Sequence, residues 1–154
     1  MASTITAATM TLTIQENITI NGQQQGGTTQ HTIASINEVT KRIVSCPASN
    51  TTTVASFSTN VYDSAGAIDV QDCKYVRITN LDNTNPVEVA FVGETTLYQV
   101  NLKAGESHIL GSVDDFMLAE ADTSPSFGTM GDIKSVQANP ASNIVDLEIF
   151  TASV

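Results

Sequence analysis

The chain has 154 residues, 41% of them hydrophobic and only 14% charged, which suits a single domain able to bury roughly 70% of its unfolded surface without staples. Its net charge of −10, with six Lys and Arg, argues against nucleic acid and anionic membranes as partners, since both demand clustered cations. Thr, Ser, Asn and Gln carry the surface instead, and such a surface suits pleated, half-exposed strands.

Residues 1–8 are small and polar without periodicity and read as a flexible arm. From Thr9 to Ile14, Met10, Leu12 and Ile14 alternate with Thr9, Thr11 and Thr13, the period-2 signature of a half-buried strand. The alternation resumes at Ile18 and Ile20, giving an expected first strand over 9–20. NGQQQGGTTQ (21–30) reads as a glycine- and amide-rich loop. TIASINEVTKRIVSC (32–46) is rich in Ile, Val, Thr and Ser, and is expected to be one strand with a bulge near Ala34 and Ser35.

Pro47 ends that run, and 51–59 reads as a strand with Thr53, Ala55 and Phe57 on one face. Tyr62 to Gly66 is a polar turn. YVRITNLDNTNPVEVAFVGE (75–94) then gives two alternating runs around Asp82 to Asn85, whose Asx side chains favour turns. Pro86 opens the second run, where it need not donate to a ladder. The expectation is a β-hairpin, with Tyr75, Arg77 and Thr79 facing one way and Val76, Ile78 and Asn80 the other in the first run, and Val87, Val89 and Phe91 turned inward in the second. Strands are further expected at 97–102, 116–121, 133–138 and 144–152, with a tight turn at Lys103 to Glu106 and a loop at 122–132.

Short strands separated by turn signals, with no long amphipathic helix, predict an all-β chain: an antiparallel, jelly-roll-like β-sandwich over 9–154. No internal repeat of fixed period is present.

The search for chemistry returns little. His31 and His108 lack a GxSxG elbow or an evident triad. Asp82 to Asn85 lacks the Asp-x-Asp-x-Asp-Gly order of a calcium loop, and Asp114 and Asp115 are consecutive, so on a strand they would face opposite sides. Cys46 and Cys73 can form one bridge or remain two buried thiols. The amino terminus lacks a basic n-region and an apolar h-region, so no signal peptide is expected, and the sequons at Asn17 and Asn50 read as chance. Trp is absent and aromatics are 5%; Tyr62, Tyr98 and Phe127 are the candidate surface aromatics. No catalytic residue, cofactor or metal site is expected.

The order CKYVRITNLDNTNPVEVAFV, YQVNLKAGESHIL and NPASNIVDLEIFTA, spanning 68–152, resembles small structural proteins of tailed-phage virions, of the capsid decoration or cement type. The resemblance implies a jelly-roll-like protein on the outer shell, with the major capsid protein as partner and a homotrimeric state. Cement function needs no catalyst and draws its affinity from area and multiplicity. Thr9, Met10, Thr11, Leu12, Thr13 and Ile14 are the expected capsid or subunit contacts, since a first strand can add to a neighbouring sheet edge. A tail, baseplate or fibre module binding a receptor glycan is the alternative, and an enzyme on a β-sandwich is a third reading.

Overall fold

The computed structural model describes residues 5–154; residues 1–4 of the expected arm lie outside them. The chain is all-β, and its contacts gather into two compact units, one ending at Glu38 and one spanning Val39–Ser153.

In the first unit, β1 (Ala8–Gln15) pairs antiparallel with β4 (Thr28–Ile36), and β2 (Thr19–Ile20) pairs with β3 (Gln23–Gln24). Bonds from Glu16 N to Gly27 O and from Gln25 N to Ile18 O join the two ladders into one ribbon. Gly26 is required at that junction, because a Cβ there would stand 1.9 Å from Glu16 O. The tip is Asn21 and Gly22, with φ of 51° and 77°. Positive φ at both central residues marks the type I′ turn that an Asn-Gly pair favours. The expected first strand over 9–20 is therefore two strands, and the expected loop over 21–30 is the ribbon's tip and return.

The bulge expected near Ala34 and Ser35 is present. Met10 pairs with Ile33 and Ala8 with Ile36, so β4 carries one extra residue there, and Ser35 takes φ 64°. The run 32–46 is nonetheless two strands, broken at Asn37.

The second unit is a sandwich. Its strands are β5 (Glu38–Cys46), β6 (Thr52–Ser58), β7 (Ile68–Asp69), β8 (Cys73–Asn80), β9 (Val87–Gly93), β10 (Leu97–Leu102), β11 (Ser107–Leu110), β12 (Ile133–Asn139) and β13 (Val145–Ser153). One sheet runs β11-β8-β13-β5 and the other β10-β9-β12-β6-β7. With the short β7 set aside, this is the strand order of a jelly roll, in which successive strands alternate between the sheets except at one hairpin. The jelly-roll strands lie within 38–153, whereas the alternation at 9–20 belongs to the ribbon.

That order corrects the hairpin expected over 75–94. β8 and β9 belong to different sheets, and residues 81–86 arch across the core between them. Asn80, fully buried, holds the arch. Its Nδ2 donates to Asn85 O at 2.9 Å and Leu102 O at 3.1 Å, and its Oδ1 accepts from Asp82 N at 2.9 Å. Asp82 Oδ1 in turn accepts from Thr84 N and Asn85 N. The turn chemistry was legible, but it serves a step of about 10 Å between sheets rather than one of ~4.8 Å between neighbours. The hairpin is instead β9–β10, closed by Gly93 N donating to Thr96 O at 2.8 Å.

One apolar cluster fills the space between the sheets. Val76, Ile78, Leu147 and Ile149 come from one side and Val54, Phe57, Val89 and Phe91 from the other. Each fully buried side chain of this size contributes roughly 1.5–3 kcal/mol. Within β6 the expected face of Thr53, Ala55 and Phe57 is corrected. β6 carries an extra residue against β12, so Val54 and Ala55 are both buried while Thr53 is exposed. The strand expected at 116–121 reduces to a bridge between Met117 and Gly131. Asp115 takes φ 47° and its N–H turns to Asp132 Oδ1, away from any ladder.

Candidate functional site

The positions with chemical potential are mostly occupied in holding the fold. The Asp82 carboxylate is held below the usual range first by the Asn85 and Thr84 amides, which donate to Oδ1 as the turn requires. Both cysteines are buried free thiols, so the bridge does not form. Burial pushes the Cys73 thiol up to about 11 and raises Cys46 as well. Asp114 keeps a buried Oδ1 without a hydrogen-bond partner, and Asp115 lies in an exposed turn. Among the described residues, no group of three or more His, Cys, Asp or Glu side chains converges as metal ligands would. No helix there is long and apolar enough to cross a membrane.

The two histidines lie in different units. His31 stands on β4 opposite Leu12 and is exposed. His108 stands on β11, half-buried, with Nε2 3.3 Å from Tyr98 Oη. Phe91 stacks on Tyr98 at 4.8 Å and meets the His108 ring at 5.0 Å, so these groups close the β10 and β11 side of the sandwich. Burial holds His108 below its ordinary pKa and pushes Tyr98 up to about 12. Tyr98 is thus a packing residue. Tyr62 and Phe127 are the exposed aromatics, at 84% and 83%.

The candidate site is the ribbon. In an antiparallel pair, directly opposed residues share a face. Met10 with Ile33, Leu12 with His31, and Ile14 with Thr29 therefore form one face. Thr11 with Thr32, Thr13 with Gln30, and Gln15 with Thr28 form the other. One side is an apolar stripe and the other is a hydroxyl and amide ladder, where Gln30 Nε2 donates to Thr13 Oγ1 at 3.5 Å. Thr9 falls in the register shift and is exposed.

The stripe is poorly covered. Met10, Leu12 and Ile33 are half-buried, and Ile14 is 45% exposed. Further out, Ile18 and Ile20 are 49% and 53% exposed. Ile36 is the buried residue of the described part of this unit up to Glu38. At ~3.3 Å per residue, the arm from Ala8 to its tip reaches about 40 Å. From Ile5 to Asn37, Glu16 carries the sole formal charge with His neutral. The structure thus gathers Met10, Leu12 and Ile14 on one face and Thr11 and Thr13 on the other. Sequence reasoning missed Ile33 and Thr32 as their counterparts. The Asn-Gly pair at 21–22 was the signal that could have found them.

The chain matches no protein-family model and no curated protein. A solved chain described under "Bacillus endospore appendages form a novel family of disulfide-linked pili" is similar over 76% of this chain and 87% of that one, at 12% identity and a TM-score of 0.43. A likeness at that level carries no argument about role.

Proposed function

We propose that the chain is a non-enzymatic virion structural protein that binds the outer capsid surface as a decoration or cement protein and stabilises the shell. The observation that carries this reading is the ribbon. A two-stranded hairpin is at best marginally stable in water, and ordering its backbone costs roughly 1–2 kcal/mol per residue. A ribbon that leaves Ile14, Ile18 and Ile20 about half exposed gains its missing burial from a partner. Its long neutral stretch removes the charge repulsion that the rest of this acidic chain would bring to a contact.

The partner in this reading is the major capsid protein, with the stripe of Met10, Leu12 and Ile14 laid against it and the Thr and Gln ladder outward. The resemblance over 68–152 to decoration proteins supports the setting, and their style of assembly supports a homotrimer. Three such arms acting together raise affinity by about 10² or more over one arm, provided all engage.

The test is to add purified protein to shells that lack it, then measure co-sedimentation and the temperature at which the shells open. Binding with a raised opening temperature is the expected result. Substitution of Leu12 and Ile14 by Ser reduces binding while leaving the sandwich folded. Failure to bind, or bound protein that leaves shell stability unchanged, ends the proposal.

A further inference from the structure

The outward face of the five-stranded sheet carries a feature that the capsid reading does not use. β9 runs between β10 and β12, and the register sets residues side by side across these strands. Gln99 and Gln137 both lie opposite Ala90, one on each side. One step along, Asn139 lies opposite Glu88, and one step the other way Leu97 lies opposite Val92. A pocket is lined by these residues together with Thr51 and Ala138.

The arrangement has a direction. One end is aliphatic, at Leu97 and Val92; the other ends on the Glu88 carboxylate; two amides stand over the small floor of Ala90. The amides flanking Ala90 are two inter-strand spacings apart, roughly 10 Å between backbones. Internal bonds orient two of the trough's amides: Gln137 Nε2 donates to Ser135 Oγ at 3.3 Å and Asn139 Nδ2 to Thr51 Oγ1 at 3.4 Å. Each amide keeps further donor and acceptor capacity. The extra residue of β6 lies against β12 at Val136 and Gln137, and a bulge of this kind sharpens the local twist of a sheet beside the pocket.

We infer that this trough binds a neutral saccharide. The mixture of amide donors and acceptors matches hydroxyl groups, which both give and accept hydrogen bonds. Glu88, which takes part in none of the ion pairs of the described residues, accepts from two hydroxyls on adjacent ring carbons. Ala90 and Val92 receive a C–H face of the ring in place of an aromatic platform. Among the described residues no cation lines the trough, and Glu88 repels anions, so sulfated and sialylated sugars fit worse than neutral ones. A peptide strand is captured at an open sheet edge, whereas this is a sheet face whose central strand is paired on both sides. The inference is independent of the ribbon and of where on a particle the protein resides.

The test uses the full chain, with neutral oligosaccharides (maltotriose, cellotriose and chitotriose) and sialyllactose as the anionic comparison, each titrated by NMR. The expected result is millimolar or tighter binding of at least one neutral sugar, with shifts confined to the amides of β9, β10 and β12. Glu88→Gln and Gln137→Ala each weaken it by at least about tenfold, the loss of a hydrogen bond made by a charged or well-oriented partner. Ala90→Leu blocks the floor without deleting a polar group and abolishes binding, while an unchanged unfolding midpoint shows that each variant folds. No binding of any neutral sugar at tens of millimolar, binding that all three variants retain, or a preference for sialyllactose overturns the inference.

Discussion

The ribbon and the sandwich are written in the same period-2 alphabet and reach opposite outcomes. In β1, Thr alternates with Met10, Leu12 and Ile14; in β13, Asp146 and Glu148 alternate with Val145, Leu147 and Ile149. The β13 residues are buried to within 1% and the β1 residues are not. β13 has a facing sheet that receives its apolar side chains, while β1 belongs to a two-stranded sheet with β4. Alternation specifies that a face is apolar; it does not say whether the fold buries it.

Substitutions that remove cover break the comparison at the sandwich end, and the largest effect is expected there. Phe91→Ala empties the centre of the core and costs about 3–5 kcal/mol, read from urea unfolding. A loss under about 1 kcal/mol would mean that the sandwich is no better packed than the ribbon. Asn80→Ala comes next. It strips donors from Asn85 O and Leu102 O and an acceptor from Asp82 N; the buried Leu102 O is left unsatisfied at roughly 1–3 kcal/mol, and the two part-buried groups cost less because water reaches them. The same assay should show a loss of about 2–3 kcal/mol, with the β9–β10 hairpin amides exchanging faster.

A pH series sharpens the contrast at the half-buried margin. Burial lowers the pKa of His108 in the folded state below its ordinary 6.5. The unfolded chain therefore takes up the proton first as pH falls. The stability linked to this group is fully present above about 6.5 and declines as pH falls below it toward the folded pKa. Its ring contacts are Tyr98 and Phe91, and burial is what disfavours the imidazolium. The unfolding midpoint should drop between pH 7 and 5.5, and His108→Gln should flatten that drop.

Smaller still is the expected response of the thiols. Cys73, buried and pushed up to about 11, should resist maleimide at pH 8 in the native protein and react in denaturant. The smallest effect belongs to the ribbon itself. Ile14→Ser should shift sandwich unfolding by less than about 0.5 kcal/mol, while ribbon amides exchange with deuterium well before those of β8 and β13.

What the sequence disclosed follows from this contrast. The inward positions of β9 and the alternation of β13 were legible because period 2 is a local property, and the bulge at Ala34 and Ser35 was legible because it breaks that period. The pairing of β8 with β9 was misread because a polar turn looks alike whether it returns beside its strand or arches over a core. Asn80 decides between the two, and its role depends on Leu102, a residue far along the chain. The candidate contacts Thr9 to Ile14 were visible as an alternating run, but their ribbon required β4. The trough on the outer sheet was invisible, since Gln99, Ala90 and Gln137 meet only through the register of three strands.

The sheet order carries one more consequence. β13 inserts between β5 and β8, so the four-stranded layer has a gap until that segment has left the ribosome. Folding then waits on the closure of very long loops, which places this chain among the slow, milliseconds-to-seconds folders. During that wait the edges of β5 and β8 stand open to pairing with the wrong chain. High expression should therefore favour inclusion bodies on warming, and slower synthesis at low temperature should raise the soluble yield.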